Sequence, residues 1–566
     1  MIMKIKINGK KLLAKEGETI LDVSKRNGIH IPTLCYHSDV TIKASCRVCV
    51  VEVNREELLP SCSTKVQNGM VVETDTSSVR RARKINLELL FSQHQEECHD
   101  CIWNLNCKML DFAKEYKVKI NKFKDRKDHY PAYRFGCSLE FDSSKCIDCR
   151  NCIEICKEQG VGFLEMRGKS HLREVFPSER KDKDCVHCGQ CINHCPAGAF
   201  EAVGEFERTE KPLKKEEITL IFQIAPAVRA AIGEEFGLPA GFNLMGELVS
   251  SLRQLGGDNI FDVPVGADIT TMEESKEFLK RTEEGGLPLL TSCCPSWVRF
   301  VEFYYPEFIP HLTTVRSPHI ILGKLIKEYF STKKGVDPQE LFLISIMPCV
   351  AKKHEIEREE LAENGVRPVD YVMTTRETGR LLKKNNIKLK GMEKGRTDDP
   401  FGEASFSGVS YGASGGVMQS AIFNIIGERV QFKKVSSGLA EASISYKGRN
   451  LRLAVVHGLK NARNALEGLK KDPKRYDYVE VMACPGGCIG GGGQPVPTSE
   501  SMTKERRAGL RKASEDKEVL KAKDNPVVKK VYEEILTTEK EISRICHTRY
   551  HEASKTPLYK NKRNNK

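Results

Sequence analysis

No stretch of the chain approaches the roughly 18 consecutive apolar residues that span a membrane as a helix. The longest apolar run, LFLISIMPCVA at 341–351, has the length of a buried strand. The first residues, MIMKIKINGKKLL, alternate apolar and basic and lack the apolar block and cleavage site of a signal peptide. A cytoplasmic protein is expected, with no membrane attachment. No nucleic-acid motif accompanies the formal charge of +13, and no glycine-rich loop of the nucleotide-binding kind is present, so nucleic acid is set aside as a partner. Cysteine, in contrast, is abundant, at 22 in 566 residues. Disulfides are disfavoured in a long cytosolic chain, which leaves metal binding as the reason for so many thiols. Ligating thiolates around an iron–sulfur cluster leave a net negative charge, so the loaded protein is less basic than its formula. The length suggests three to five domains with ample core.

Four ligand groups precede residue 200. The chain opens with KIKI, an Asn8-Gly9 hairpin signal and a second strand at KKLLA. Thr19 then caps a short helix that stops at Gly28. Cys35, Cys46, Cys49 and Cys62 follow at C-x10-C-x2-C-x12-C, a set that suits a small iron–sulfur cluster or four-cysteine zinc. The stretch LCYHSDVTIKASCRVCVVEV resembles plant-type 2Fe–2S ferredoxin modules, which have a β-grasp fold. Next, His94, Cys98, Cys101 and Cys107 form H-x3-C-x2-C-x5-C, with His94 and Cys98 expected on one helical face and His99 as a rival ligand. The pattern is similar to the histidine-ligated 4Fe–4S site of complex I and some hydrogenases. A neutral imidazole in place of a thiolate removes one negative charge and alters the potential. Finally CIDCRNCIEIC and CVHCGQCINHC repeat C-x2-C-x2-C-x3-C. In two-cluster ferredoxins the fourth cysteine of each run serves the other cluster. Cys146, Cys149, Cys152 and Cys195 would then hold one 4Fe–4S cluster, and Cys156, Cys185, Cys188 and Cys191 the second.

Such an array is an electron wire, and a wire needs a terminal. After a linker at 207–217 the runs ITLIFQIA, LPLLTS, LFLISIMP, LRLAVVHG and YVEVMA alternate with helical stretches, the pattern of an α/β domain with parallel strands. Pro226 follows the first run, Cys293 and Cys294 the second, Cys349 the third, and Cys484 and Cys488 the last. Ligands in open α/β sheets sit beyond the carboxyl ends of strands, so these cysteines are expected to face one cleft. TSCCPSW, IMPCVAKKHE and EVMACPGGCIGGGGQP resemble the three signatures of the iron-only (FeFe) hydrogenases, and the likeness to the monomeric clostridial type extends over nearly the whole chain.

The resemblance implies reversible reduction of protons to H2 at an H-cluster, a 4Fe–4S cube joined through a cysteine sulfur to a diiron unit with CO, cyanide and azadithiolate. It implies that Cys294, Cys349, Cys484 and Cys488 bind the cube, with Cys488 bridging. Lys352 would donate to one cyanide, the backbone at Pro226 and Ala227 would hold the other, and Met347 and Met482 would pack around the irons. Protons would pass between Cys293 and the surface through Glu274, the Thr313 hydroxyl, Glu277 and Arg281. Three 4Fe–4S clusters and one 2Fe–2S cluster would carry electrons from an acidic ferredoxin, and maturation proteins would supply the diiron unit. Ser296, His319, Phe406, Ser407 and Gly490 depart from the residues usual in the family. The run at 490–493 is read as glycine so that backbone can approach a bulky cofactor.

The expected fold is multidomain α+β and α/β. It comprises a β-grasp 2Fe–2S domain (1–78), a His/Cys 4Fe–4S domain (79–125) and a two-cluster ferredoxin-like domain (126–209). An α/β H-cluster domain with parallel sheets (210–500) and a helical, small-subunit-like segment with a frayed basic tail (501–566) complete it. Two other functions are kept in view: a hydrogenase-like iron–sulfur assembly scaffold, and a hydrogen-sensing or electron-bifurcating subunit.

Overall fold

The computed structural model describes residues 2–94, 98, 101–103, 106–123, 131–169, 173–204 and 218–561. His99 and the linker at 207–217 lie outside these residues. Among the described residues no helix is long and apolar enough to cross a membrane.

At the N-terminus a tight turn at Asn8 and Gly9, both at positive φ, joins strands Ile2–Ile7 and Lys10–Lys15. Thr19 caps helix Ile20–Arg26 through a reciprocal box with Asp22. Strand Val71–Glu73 returns parallel to the first strand and joins it to Val50–Val53 and Glu57–Pro60, which gives a five-stranded sheet. That mixed order with one helix across the sheet is the β-grasp arrangement. Helix Ser77–Phe91 then leads out of the module, anchored by the buried Arg83, which donates to the Val50 carbonyl at 2.8 Å. The helix stops there, so His94 and Cys98 do not share a helical face: Cys98 stands in a turn beyond the helix cap at Ser92. A loop can bring several thiols to one point, whereas a helix offers a residue only every turn.

The two cysteine repeats each end in a short helix, Asn151–Glu158 and Gln190–Asn193. They pack beside a four-stranded sheet whose far edge is strand Leu558–Asn561, paired antiparallel with Ala132–Phe135. Strand Leu558–Asn561 lies on the open edge of the ferredoxin-like sheet, which satisfies its backbone; the rest of the expected frayed tail, 562–566, lies outside the described residues. Arg299 secures the approach: its Nη2 donates to the buried carboxylate of Asp184 and to the Ser554 carbonyl, both at 2.5 Å, and to the Thr556 hydroxyl at 3.1 Å.

Beyond residue 218 the chain builds two sheets. One is wholly parallel, in the order Asn259–Asp262, Thr219–Ile224, Leu341–Met347, Tyr371–Thr374. The other places Leu289–Leu290, Tyr478–Met482 and Arg449–His457 in parallel and adds an antiparallel hairpin from Leu439–Tyr446 and Lys433–Ser436. The long helix Pro264–Glu284 packs against helices from both halves of the domain. Helix Pro295–Tyr304 carries Trp297 and Phe300, both fully buried, into a core continuous with Phe135, Phe141 and Phe200 of the ferredoxin-like module. Each such aromatic contributes roughly 1.5–3 kcal/mol on burial, so the modules are welded through a shared apolar core.

Arg299→Met should test that weld. It removes the cation from a buried carboxylate, which costs about 3 kcal/mol or more, and it should make residues beyond 552 sensitive to protease. Wild-type melting and an intact tail in the variant would show that the strand holds without Arg299.

Candidate active site

The adjacent cysteines end up in different places because Cys294 is the N-cap of helix Pro295–Tyr304. Its sulfur receives backbone N–H groups from Ala483, Trp297 and Ser296. The Cys349 sulfur likewise sits against the N–H groups of Ala351 and Lys352 at the start of helix Ala351–Glu355. Helix N-termini favour thiolates, yet burial pushes both thiols up, Cys349 to about 12. Cys484 is close enough to feel the charges of Cys349, Cys294 and Cys488, so the strand-end cysteines of both sheets meet at one point.

Beside that point lies a cavity of about 70 Å³. Cys293, Lys352, Pro226, Ala227, Met347 and Met482 line it, as do Cys349, Cys488 and His319. The Lys352 ammonium donates to the Cys293 carbonyl at 3.1 Å and to Glu355 at 2.7 Å. Burial works against its charge, but Glu355 holds it above the usual lysine value. His319 donates from Nε2 to the same Glu355 at 2.7 Å, and burial lowers its pKa to about 4, so the ring is neutral. A buried cation, soft methionine sulfur and four convergent thiols form a donor set that fits an iron–sulfur centre with anionic ligands.

Packing within the protein already requires the glycine run. A Cβ at Gly491 would stand 2.2 Å from the Pro348 carbonyl oxygen, and one at Gly492 would stand 2.6 Å from the Gly189 Cα. Protein backbone from three segments meets there, and only glycine fits. The same crowding explains Gly490, where a Cβ would lie 2.5 Å from the Pro485 oxygen. Its carbonyl accepts from the Gln190 and Asn193 side chains of the ferredoxin-like module. Of the other departures, the Ser296 hydroxyl is buried without a partner among the described residues, and Phe406 lies under the Arg429 guanidinium at 4.0 Å. The Ser407 hydroxyl donates to the Leu520 carbonyl at 3.1 Å.

The remaining thiols fall into sets that reach the site in sequence. Cys149 and Cys152 each feel Cys146 and Cys195, and Cys191 feels Cys188, Cys185 and Cys156 as well as Cys195, so the eight thiols of the two repeats lie close together. Cys188 in turn feels Cys349 and Cys294, and its carbonyl faces the Cys484 sulfur at 3.9 Å. At the other end two groups converge on the first crossover set. Cys35 of the β-grasp module, which lies with Cys46, Cys49 and Cys62, acts on Cys149. Near the His94 group, Trp103 donates to the Cys195 carbonyl at 2.8 Å and Cys107 feels Cys98. The His94 ring meets the Lys145 carbonyl at 2.8 Å through Nδ1. The layout is a fork, two arms joining one stem, where the sequence suggested only a line.

On the other side of the cavity, helix Pro264–Glu284 carries Glu274, Glu277 and Arg281. Arg281 donates to Glu277 at 2.5 Å and Thr313 donates to it at 2.7 Å. Thr314, not foreseen, also bonds Glu277 through its N–H at 3.0 Å and its hydroxyl at 3.1 Å. Glu274 is fully enclosed; Tyr478 donates to its Oε1, while Oε2 has no partner. Among the described residues no hydrogen bond joins Glu274 to Cys293 or Thr313, although burial first and the nearby Glu274 carboxyl next raise the pKa of the half-buried Cys293 thiol. Burial raises the Glu274 carboxyl to about 8 against an ordinary 4.5. Tyr478 could have been suspected only from its place at the head of the last parallel strand.

A carboxyl that stays protonated when folded but ionises when unfolded makes stability fall as pH rises between those two values. At constant iron loading, wild-type stability should decline by about 4 kcal/mol between pH 4.5 and 8 on account of Glu274. Glu274→Gln should flatten that decline in denaturant melts. Equal slopes would mean that Glu274 is ionised in the fold.

Comparison with known proteins places this arrangement. The C-terminal domain of the iron-only hydrogenase large subunit matches residues 218–492, and the iron hydrogenase small subunit matches 500–553. A 2Fe–2S cluster binding domain matches 2–77, the iron–sulfur region of NADH-ubiquinone oxidoreductase G matches 83–122, and a 4Fe–4S dicluster domain matches 145–199. The chain is 36% identical to the NADP-reducing hydrogenase subunit HndD of Solidesulfovibrio fructosivorans, over 97% of this chain and 99% of that one. It is 33% identical to Iron hydrogenase 1 of Clostridium pasteurianum over 88% and 90%. An apo [FeFe]-hydrogenase HydA1 structure from Chlamydomonas reinhardtii superposes with a TM-score of 0.56 at 32% identity, covering 62% of this chain and 99% of that one. Full-length likeness, the shared domains and the convergent thiols lead to one statement: the chain belongs to the iron-only hydrogenase family.

Proposed function

We infer that the chain interconverts two protons and two electrons with H2. The observation that carries this is the meeting of strand-end thiols from both sheets beside a cavity lined by Cys293 and the Lys352 ammonium. Cys294, Cys349, Cys484 and Cys488 are read as the ligands of the cube. An H-cluster there, with its CO, cyanide and azadithiolate ligands, supplies the centre at which electrons and protons combine.

The chain's residues do the rest. Lys352, Pro226 and Ala227 orient the diatomic ligands, and Met347 and Met482 keep water from the cavity. The Cys293 thiol passes protons, a general acid–base role. Glu274, neutral at pH 7 because it is buried, can return a proton to Cys293 at once. Glu277 receives protons at the surface end, where Arg281 and Thr313 hold its carboxylate, and Tyr478 positions Glu274. Electrons arrive along the fork, through one 2Fe–2S and three 4Fe–4S clusters held by the sets assigned from the sequence, His94 included. An assembly scaffold would keep the cube but has no use for Cys293 and its acidic route.

A reducing cytoplasm suits the thiol content, and maturation proteins are needed to deliver the diiron unit. An acidic ferredoxin is the proposed electron donor. A second reading has a specific support: the full-length likeness to an NADP-reducing hydrogenase subunit. In that case the β-grasp arm would take electrons from a partner subunit.

Cys293→Ala should cut turnover roughly 100-fold or more while the infrared CO and cyanide bands persist, and Cys293→Asp should recover part of the rate. Near-normal turnover in a fully loaded Ala variant would end the proton role. With an acidic ferredoxin the rate should fall as salt rises, since screening confines charge steering to about 8 Å at physiological ionic strength. Salt indifference would favour the subunit reading, as would activity with NADP only after a partner subunit is added.

A further inference from the structure

Where the β-grasp module meets the ferredoxin-like module, three side chains converge that neither the wire nor the proton route uses. His37 and Asp39 follow Cys35 on its loop, and His194 precedes Cys195. One ligand atom from each lies within 4.8 Å of the other two. His194 Nε2 stands 3.4 Å from Asp39 Oδ2, His37 Nδ1 stands 3.8 Å from the same oxygen, and the ring centroids are 4.2 Å apart. Tetrahedral zinc with bonds near 2.0–2.1 Å sets its ligand atoms about 3.3 Å apart, so small side-chain movements would close the site.

The tautomers also suit a cation. His194 meets the Gln190 carbonyl at 2.8 Å through Nδ1, which makes that nitrogen the donor and leaves Nε2 with its lone pair. Among the described residues Nε2 finds no partner in good hydrogen-bond geometry, its nearest polar contact being Asp39 Oδ2 at 3.4 Å, although the His194 side chain is only 4% exposed. The backbone of Thr498, in the hydrogenase domain, engages the His37 ring, while His37 Nδ1 accepts only a long 3.3 Å contact from the Asp39 N–H. Metal-ligating histidines characteristically give their second nitrogen to a backbone carbonyl or carboxylate. Asp39, at 42% exposure, leaves the site open to solvent on one side. Lys108 acts on His37 from nearby and would moderate the affinity.

We propose that His37, Asp39 and His194 bind one divalent transition-metal cation, zinc by preference, which clamps the β-grasp module to the ferredoxin-like module. Two imidazoles and a carboxylate are borderline donors that zinc accepts in tetrahedral geometry, with a water completing the shell. Such a clamp would fix the spacing between the Cys35 group and the Cys195 group and so the electron transfer across that joint.

The test uses holoenzyme with full iron content, stripped with EDTA and titrated with zinc against a chromophoric chelator. One zinc per chain should bind, with X-ray absorption reporting nitrogen and oxygen ligands and no sulfur. Asp39→Asn and His37→Gln should each weaken binding at least 10-fold while iron content is kept. Zinc should also slow proteolysis at the module junction in wild type but not in Asp39→Asn. No uptake by the iron-loaded enzyme, sulfur in the zinc shell, or wild-type affinity in both variants would overturn the proposal.

Discussion

Sulfur atoms crowded together without water resist ionisation, and most of this protein's sites answer to that fact. Cys149, Cys152, Cys185 and Cys191 are all pushed well above the ordinary thiol range, burial first and neighbouring thiols second. Such sites are stable as thiols when the metal is absent and become thiolates only as iron compensates the charge. Loading the clusters therefore releases protons and adds to folding free energy. The framework rests elsewhere, on two sheets and a core that runs unbroken from Phe135 to Trp297. The hydrogenase end obeys the same rule with the sign reversed: Lys352 keeps its charge in an apolar cavity only because Glu355 stands beside it.

The accessory half was readable because each cluster imposes a spacing, and the spacing survives whatever surrounds it. The crossover between the two repeats could be assigned from Cys-Pro and three short intervals, and the thiols lie near one another. The parallel strands were legible as apolar runs that end in chemistry. Asn259–Asp262 and Tyr371–Thr374 were not, since four-residue strands leave too little pattern to distinguish them from loops. The hairpin at Lys433–Tyr446 was hidden for the opposite reason: its first strand is fully exposed and polar.

What the sequence concealed is mostly contact between distant segments. Thr314 looks like any hydroxyl beside Thr313, yet it binds the same carboxylate. Tyr478 reads as strand filler until its hydroxyl is found on Glu274. The glycines at 490–493 advertise close approach, but only the fold says that the approaching party is Pro348, Pro485 and Gly189. The same holds for His94, whose expected helical pairing with Cys98 fails because the helix ends first.

The pairing of Leu558 with Phe135 joins residues more than four hundred positions apart. On a ribosome moving at about 5–20 residues per second, the ferredoxin-like sheet waits on the order of a minute for its last strand. During that interval its edge is bare and its eight cysteines belong to an unfinished box. A chain cut short in synthesis would thus lack not only its tail but the edge strand of a sheet translated long before.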